Sequence, residues 1–366
     1  MKQRIESIYF LRLFAMLMVV LVHVTGAYVE VLTFNTDAYQ KYHFINRIIR
    51  IEAGIFIMIT GLVFFYNYIR KPLTGSVLKN YYQKRVTYIL IPYLVWAIIY
   101  ELYSAYIGVT NLNLNDVMSR ILQGKSYYQL HFIFLIVQFY LFFPIFIYLA
   151  QKIALFRKYM WAFGILFEVG YYLLNTKYQI IPFNFFLDAF GTFLLGGWIG
   201  LYYQEQKEKM YARSNIILFI LTICAGWVTV TLNYYAYTID QIQISDLLYK
   251  LVNLTYLFIG GYFLFRMTEI LAHRLPRKTV EVVKNIAVYS FGFYLLHPLV
   301  LNAIVQVVPA ENNYWFHIQI LTRYVLTVIF CYIIIWATHK FFLFPSIIFG
   351  KMPQEAVFLY KKEKTS

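Results

Sequence analysis

The sequence is poor in charge: 13% of its 366 residues are charged, whereas 61% are hydrophobic. Acidic residues are the scarcest group, at 17 against 32 lysines and arginines. This composition and a mean hydropathy of +0.60 exclude a soluble globular protein of this size and indicate a polytopic membrane protein. The net charge of +15 does not indicate nucleic acid binding, because the positive charges lie in short connections between apolar runs.

Cysteines and the common catalytic motifs are also rare or absent. Cys224 and Cys331 are the only cysteines, and both lie in apolar runs. This predicts packed core residues rather than a disulfide or a metal pair. The sequence has no Walker loop, Gly-x-Gly-x-x-Gly, His-Glu-x-x-His or Cys-x-x-Cys. Nucleotide hydrolysis and metal catalysis therefore have no support, and no metal or tightly bound cofactor is expected.

Long apolar runs predict an all-α bundle of about ten transmembrane helices. The predicted spans are 8–30, 51–70, 86–107, 127–149, 159–175, 183–203, 215–236, 246–266, 285–307 and 318–340. The first run is too long for a signal peptide and lacks a cleavage site, so we expect a retained helix. The segment 31–50 is amphipathic and is a candidate for a helix on the outer surface.

The distribution of basic residues predicts the topology. With a cytoplasmic N-terminus, 23 of the 32 lysines and arginines fall on the cytoplasmic side, 6 on the outer side and 3 within spans. The positive-inside rule then places both termini in the cytoplasm of a multi-pass protein of a bacterial-type plasma membrane. The cytoplasmic set includes Lys2, Arg4, Lys362 and Lys364 near the termini. The outer set is Lys41, Arg47, Arg50, Arg120, Lys125 and Lys177. Residues 1–345 are expected to form one transmembrane domain, and residues 346–366 a short basic cytoplasmic tail.

The first span carries an arginine and a histidine that share one helix face. Arg12 and His23 are eleven positions apart, which is about three turns and about 16 Å along an α-helix. Met16 and Val19 lie on the same face. Ionisable residues inside a membrane helix are costly and mark a functional interior by default. The alternatives are that Arg12 extends to the membrane interface and that His23 is a core histidine with a neighbouring partner.

Other ionisable residues fall at two depths. His297 lies at a depth comparable to that of His23, so two imidazoles are expected to flank one pocket, where a neutral ring can accept and return a proton. His131 begins the fourth span from the outer side, and His131 and His297 have the alternative role of anchoring helix ends. The carboxylates of the outer half are Glu52, Glu101, Glu168 and Asp188. Their alternative is simple solvation at helix ends.

A basic connector, Lys79 to Arg85, lies on the predicted inner side together with Arg12. Arginine and lysine side chains at this depth are suited to grip the phosphates of a cytoplasmic ligand. The alternative for the connector is that its charge only sets the topology.

These features together resemble the membrane acyltransferase 3 family. Arg12 followed by ten residues and His23 is similar to the signature of the family in its first helix. Further similar pieces are the stretches 56–61, 84–93, 131–134 and 290–298. Departures are Thr60 where serine is usual, Ile133 where tryptophan is usual, and the absence of a second arginine three positions after Arg85. Residues 89–93 and 349–353 further resemble the branch that contains the intercellular adhesion polysaccharide protein C.

The resemblance implies transfer of an acyl group, acetyl or succinyl, from cytoplasmic acyl-CoA to a hydroxyl of an envelope or extracellular polysaccharide, a modification linked to biofilm polymers. It implies a role for His23 as the base or as the transient acyl acceptor, with Tyr294 and His297 near the reacting carbonyl. The implied donor-binding residues are Arg12, Lys84 and Arg85. The candidates for the acceptor pocket are His131, Glu101, Glu168 and Asp188. The expected partners are the lipid bilayer, acyl-CoA, a carbohydrate acceptor and a polysaccharide synthase, without nucleic acid.

The main alternative function is export of a poly-N-acetylglucosamine type polymer without acyl transfer. Transporters often contain internal repeats, whereas the Arg12–His23 pair occurs once and the later spans do not echo the earlier ones. A sensor or scaffold without chemistry is a third possibility, but it leaves Arg12 and His23 unexplained.

Overall fold

The computed structural model describes residues 5–361. The chain is 78% helical, and the described residues contain no strand. The all-α class and the polytopic membrane class are therefore confirmed. The predicted cytoplasmic charges Lys2, Arg4, Lys362 and Lys364 lie outside the described residues.

Helices succeed one another along most of the chain. In order, they are α1 (Ser7–Thr25), α2 (Tyr28–Val31), α3 (Asp37–Ile48), α4 (Ile51–Tyr68), α5 (Gly75–Arg85), α6 (Ile91–Tyr106), α7 (Leu114–Leu122), α8 (Leu130–Lys152), α9 (Ala154–Lys158), α10 (Met160–Tyr178), α11 (Phe190–Leu201), α12 (Tyr203–Glu208), α13 (Ala212–Asn233), α14 (Asp246–Arg274), α15 (Arg277–Ala287), α16 (Ser290–Val307), α17 (Phe316–Phe341) and α18 (Pro345–Phe349). Three further turns have other helical geometry: π-helical Val86–Leu90 and Tyr234–Thr238, and 3₁₀-helical Phe186–Ala189.

Within residues 5–361, eight helical segments are long and apolar enough to cross a membrane. They contain α1, α4, α6, α8, α13, α14, α16 and α17, and each coincides with a predicted span. The two remaining predicted spans correspond to α10 and to the shorter apolar segment Phe186–Leu201. The count of ten crossings and the side on which the termini lie stay predictions.

Contacts divide the chain into two units. Among the described residues, the first unit comprises 5–59, 202–334 and 357–361, and the second comprises 60–201 and 335–356. The division falls within α4 and α17. The single-domain assignment stays a prediction.

The core of the first unit surrounds α1. This helix packs against α3, α14, α15 and α16. Met16 and Val19 are only 2% and 5% exposed, so the helix face predicted from the Arg12–His23 spacing is turned towards the protein interior. Gly260 and Gly261 of α14 lie against Ile51 and Met58 of α4, and the absence of side chains at these positions allows the two helices to pack closely.

The second unit has a core of phenylalanine rings. Phe139 of α8 stacks on Phe193 of α11 with ring centroids 4.2 Å apart. α4 and α11 approach closely because Gly61 and Gly200 have no side chain, and an added Cβ at either would meet a backbone carbonyl.

One cysteine differs from its prediction. Cys331 is buried, but Cys224 is exposed on α13. The apolar run around Cys224 favours burial in lipid or in protein equally, and this is why the hydropathy pattern alone gave the wrong environment.

Candidate functional site

The first unit brings two imidazole rings together in its interior. His23, in the last turn of α1, stacks on His297 of α16 with ring centroids 5.2 Å apart and an interplanar angle of 29°. His297 has no exposed surface. Two rings this close cannot both be cationic without strong repulsion, so at least one imidazole is neutral and able to accept a proton.

The local sequence of α16 fixes the orientation of His297. Its Nδ1 lies 2.9 Å from the carbonyl of Phe293, and since a carbonyl only accepts, Nδ1 carries the proton. Nε2 is then a hydrogen-bond acceptor, and it has no partner among residues 5–361. Pro298 follows in the helix interior and cannot donate to the carbonyl of Tyr294. The helix therefore has an interrupted hydrogen-bond ladder around this imidazole.

Tyr294 completes the group of predicted catalytic residues. Its ring centroid lies 6.0 Å from that of His297 and 6.0 Å from that of Phe56 in α4. His23, His297 and Tyr294 therefore form one cluster, which we call the histidine cluster. A hydroxyl placed against Nε2 of His297 would give this buried atom the donor that it otherwise lacks.

Arg12 lies on α1, three turns before His23, and is half-buried. A groove of about 210 Å³ beside α1 is lined by Phe14, Leu17, Met18 and Leu21 of this helix. These residues occupy the face opposite to Arg12 and His23. The groove is apolar. The apolar face of α1 that lines it is therefore separate from the face that carries Arg12 and His23.

Asn46, in the last turn of α3, ties this helix to α1 next to His23. Its Nδ2 donates to the carbonyl of Val22 at 2.7 Å and to Oγ1 of Thr25 at 3.0 Å. Its Oδ1 accepts from Arg50 at 3.2 and 3.3 Å. Asn46 is 3% exposed. The turn that carries His23 is thus held by a buried and fully used side-chain amide.

A second polar cluster fixes the other end of α1. The carboxylate of Glu269, 2% exposed, accepts hydrogen bonds from Ser7 and from Tyr203, the latter at 2.8 Å. His273 lies 3.9 Å from the same carboxylate. These contacts position the turn that precedes Arg12.

In the second unit, Arg85 is held by aromatic rings. Its guanidinium lies 4.6 Å from the ring centroids of Phe64 and Tyr81 and 5.4 Å from that of Tyr140. Its Nε is shielded from solvent and has no hydrogen-bond partner among residues 5–361. Cation–π contacts orient the guanidinium and leave this donor for a ligand. Lys84 is exposed.

A π-helical turn, Val86–Leu90, follows Arg85 directly. Pro92 comes two residues after this turn and has no N–H to continue the α-helical ladder. Such π turns are frequent at functional sites. The basic connector is thus joined to α6 by a widened turn, and this supports its assignment as a ligand-binding segment.

The four acceptor-pocket candidates lie in the second unit and have separate surroundings. Glu101 forms a two-pronged ion pair with Arg120, with the shortest contact at 2.6 Å, and these bonds raise the pKa of the Arg120 guanidinium. His131 is exposed and is hydrogen-bonded to the carbonyl of Tyr128.

The other two candidates have contacts with backbone amides. Glu168, 2% exposed, accepts from the N–H of Gly191 at 2.9 Å. Asp188 accepts from the N–H of Phe185 at 3.4 Å at the start of the 3₁₀ turn. These contacts favour structural roles, and the acceptor roles of all four residues stay predictions.

Sequence reasoning did not assign roles to several buried polar residues. His43, Asn46 and Glu269 are 2%, 3% and 2% exposed. Glu269 could have been found as a carboxylate in the last turns of an apolar helix. His43 and Asn46 gave no comparable signal, because they lie in an amphipathic segment where polar residues are expected.

Comparison with known proteins identifies the family. The family model described as an acyltransferase domain, acyltransferase 3, matches residues 5–338. The chain belongs to the acyltransferase 3 family. Curated relatives include proteins of Staphylococcus aureus strains Mu50 and MSSA476, each named "Probable poly-beta-1,6-N-acetyl-D-glucosamine export protein". Each is 24% identical over 326 residues, which cover 85% of either chain.

The predicted resemblance is therefore confirmed for both the family and its branch. No solved structure matches the chain. The names of the relatives refer to export, whereas the family is one of acyltransferases, so the two functions weighed from the sequence both stay relevant.

Proposed function

We propose that the protein is a membrane O-acyltransferase that moves an acetyl or succinyl group from cytoplasmic acyl-CoA to a hydroxyl of an extracellular polysaccharide. The observation that carries this proposal is the stacked His23–His297 pair, with a neutral imidazole whose Nε2 lacks a partner among the described residues. A buried acceptor nitrogen of this kind suits a substrate hydroxyl that must lose its proton.

In the proposed reaction, His23 removes the proton of the acceptor hydroxyl while its oxygen attacks the thioester carbonyl. His297 accepts a hydrogen bond at Nε2 from an acceptor hydroxyl and thereby orients the sugar. The phenol of Tyr294 is the nearby neutral donor for negative charge on the tetrahedral intermediate. Collapse of the intermediate releases the thiolate of CoA, to which the imidazolium of His23 returns the proton.

Arg12, Lys84 and Arg85 are proposed to bind the anionic parts of the donor. The aromatic contacts of Arg85 support this role, because they hold a planar cation through its face while its Nε keeps a free donor. CoA carries several phosphates, for which such a guanidinium is a suitable partner.

Export of a polysaccharide is the second candidate, and it is favoured by the names of the Staphylococcus aureus relatives. A transport path would need polar groups arranged along its length. The imidazole pair, with an Nε2 that has no partner among residues 5–361, favours a reaction site over a path.

Replacement of His23 distinguishes the two functions. With acyl-CoA supplied to membranes, we expect His23→Ala and His23→Gln to lower the rate of acylation by about 10²- to 10⁴-fold, the usual contribution of a general base. Polymer would still reach the surface, and donor binding would persist. His317→Gln is the matched control, since His317 is exposed at the start of α17 and is not part of the histidine cluster.

The opposite result would support export: normal acylation of the glycan in His23→Ala together with polymer retained inside the cell. Acyl groups are counted by mass spectrometry of released glycans, and surface polymer by a lectin.

A further inference from the structure

The end of α3 carries two arginines with unusual surroundings. The Nε of Arg47 is shielded from solvent and has no hydrogen-bond partner among residues 5–361. Arg50 donates only to Oδ1 of Asn46. A basic residue that merely caps a helix C-terminus points its donors into water or onto the last carbonyls. An acceptor on a bound ligand would satisfy the Nε of Arg47.

Asn46 places this arginine pair next to the histidine cluster. The guanidinium of Arg50 and the carbonyl of Val22 bind opposite ends of the same amide, at 3.2 and 2.7 Å. Val22 directly precedes His23. A group held by the arginines would therefore lie beside the turn of α1 that carries the proposed base.

The other walls of this region suit a carbohydrate. His43 is 2% exposed, and its Nε2 lies 3.0 Å from Oγ1 of Thr238. Its ring lies edge-on to Tyr28 and to Tyr234, with centroids 6.1 and 5.0 Å away. Tyrosines offer flat apolar faces and hydroxyls, which suit sugar rings.

Asn233 adds an acceptor to the same region. It is 6% exposed, and its side chain interacts with that of His43. Its Nδ2 donates to the hydroxyl of Tyr249 at 3.0 Å. A side-chain amide and the Nε donor of Arg47 therefore occur in one region, as recognition of a hydroxylated acid requires.

The local charge is positive. Arg47 and Arg50 lie within electrostatic range of each other, and Glu52 is the carboxyl within range of Arg50, although the two form no ion pair. On the predicted topology, these are two of only six basic residues on the outer side. Arg120, another of the six, is neutralised by Glu101, whereas Arg47 is not paired within residues 5–361.

We propose that Arg47 and Arg50 bind an acid group, a carboxylate or a phosphate, of the polysaccharide acceptor. The sugar that carries this group, or its neighbour in the polymer, lies against the half-buried Tyr234. The inference rests on the proposed function and names the class of its acceptor as an acidic glycan. We call this region the outer arginine site, comprising Tyr28, His43, Arg47, Arg50, Asn233 and Tyr234.

The test measures glycan binding by the full chain in lipid nanodiscs without acyl-CoA. The probes are an oligogalacturonate, a glycerol phosphate oligomer and a neutral chito-oligosaccharide of similar length. We expect the wild type to prefer at least one acidic probe to the neutral one. Arg47→Gln should weaken binding of that probe by about 10- to 100-fold, the range expected for loss of a charge-assisted, two-pronged contact, and leave neutral binding unchanged. Preference for the oligogalacturonate would indicate a carboxylate ligand, and preference for the glycerol phosphate oligomer would indicate a phosphate ligand.

Lys41→Gln is the matched control, because Lys41 carries the same charge on the exposed face of α3. Equal binding of acidic and neutral probes by the wild type would overturn the inference, as would unchanged binding in Arg47→Gln or an equal loss in Lys41→Gln. If Arg47→Gln does not fold, the binding of the acidic probe is measured for Arg47→Lys, together with the preference of the wild type for acidic over neutral probes. The binding test contains no donor and is therefore independent of acyl transfer. If the chain binds the acidic probe but transfers no acyl group to it once acyl-CoA is added, the proposed reaction is refuted and the outer arginine site stands.

Discussion

The side chain of Asn46 on α3 holds the end of α1 that carries His23. Asn46 uses both ends of its amide, donating to α1 and accepting from Arg50. The carbonyl of Val22 also receives the N–H of Gly26 at 3.0 Å. Loss of the Asn46 amide would therefore leave no buried carbonyl orphaned but would free the turn around His23 from α3.

We predict that Asn46→Ala lowers the acylation rate at saturating acyl-CoA by about 10-fold or more, since small displacements of a catalytic group are costly. The KM for acyl-CoA should stay unchanged, because Asn46 contacts α1 about three turns away from Arg12. The free energy of unfolding should fall by about 1–3 kcal/mol, the cost of lost buried hydrogen bonds.

A separate measurement tells positioning from simple destabilisation. The rate is compared with that of Thr229→Ala, which removes a buried, hydrogen-bonded side chain of α13, at temperatures where both variants are fully folded. An unchanged acylation rate in folded Asn46→Ala would remove this residue from the description of the site.

At the residue scale, the sequence predicted what depends on spacing within one helix. The Arg12–His23 interval and the depth of His297 sufficed to predict a shared cluster, and the two rings do meet. The sequence did not predict Asn46 or Arg47 as site residues, because their roles depend on the contact between α3 and α1. The two residues of the Asn46–Val22 hydrogen bond are 24 positions apart in the chain. The hydrophobic periodicity of a single helix does not indicate a contact between two helices.

Helix packing in the second unit depends on glycines at the crossing of α4 and α11. A Cβ added at Gly61 would overlap the carbonyl of Phe193 and lie 3.0 Å from the backbone nitrogen of Gly197. Backbone atoms cannot turn aside as a flexible side chain does. The two helices would have to move apart.

We predict that Gly61→Ala lowers the free energy of unfolding by about 1–3 kcal/mol or more, the usual cost of overpacking. Gly170→Ala is the matched control within α10, since nothing lies within 4 Å of a Cβ added there. The control should be neutral or raise stability by about 0.5–1 kcal/mol, because alanine favours the helix. The apparent Tm in detergent measures both. Equal Tm values for the two variants would contradict the close contact between α4 and α11.

At the element scale, hydropathy located each long helix but not its irregular ends. The π-helical turns at Val86–Leu90 and Tyr234–Thr238 depend on one extra residue between hydrogen-bonded groups, a local choice that average hydropathy does not sense. The first turn directly follows Arg85, and the second begins at Tyr234. Both are proposed binding residues. The parts of the helices that the sequence did not predict are therefore those that shape the proposed sites.

At the scale of the whole molecule, the proposed reaction needs a donor from the cytoplasm and an acceptor from outside. Arg12 and His23 lie three turns apart on one helix face, and their separation of about 16 Å is roughly half the apolar thickness of a bilayer. The positive-inside rule places Arg12 towards the cytoplasm. The orientation of the chain is therefore a condition of the mechanism.

We predict that Asn111 is reached by reagents from outside the cell and Ser76 from inside. Both residues are exposed, one before α7 and one at the start of α5. In a Cys224→Ser background, Asn111→Cys should react with a membrane-impermeant maleimide on intact cells. Ser76→Cys should react only after permeabilisation, and a fluorescent protein fused to the C-terminus should fluoresce. Cys331 is buried and provides the unlabelled control. Labelling of Ser76→Cys on intact cells would show that the protein has the opposite orientation in the membrane. The outer arginine site would then face the cytoplasm, and an extracellular acceptor would be refuted.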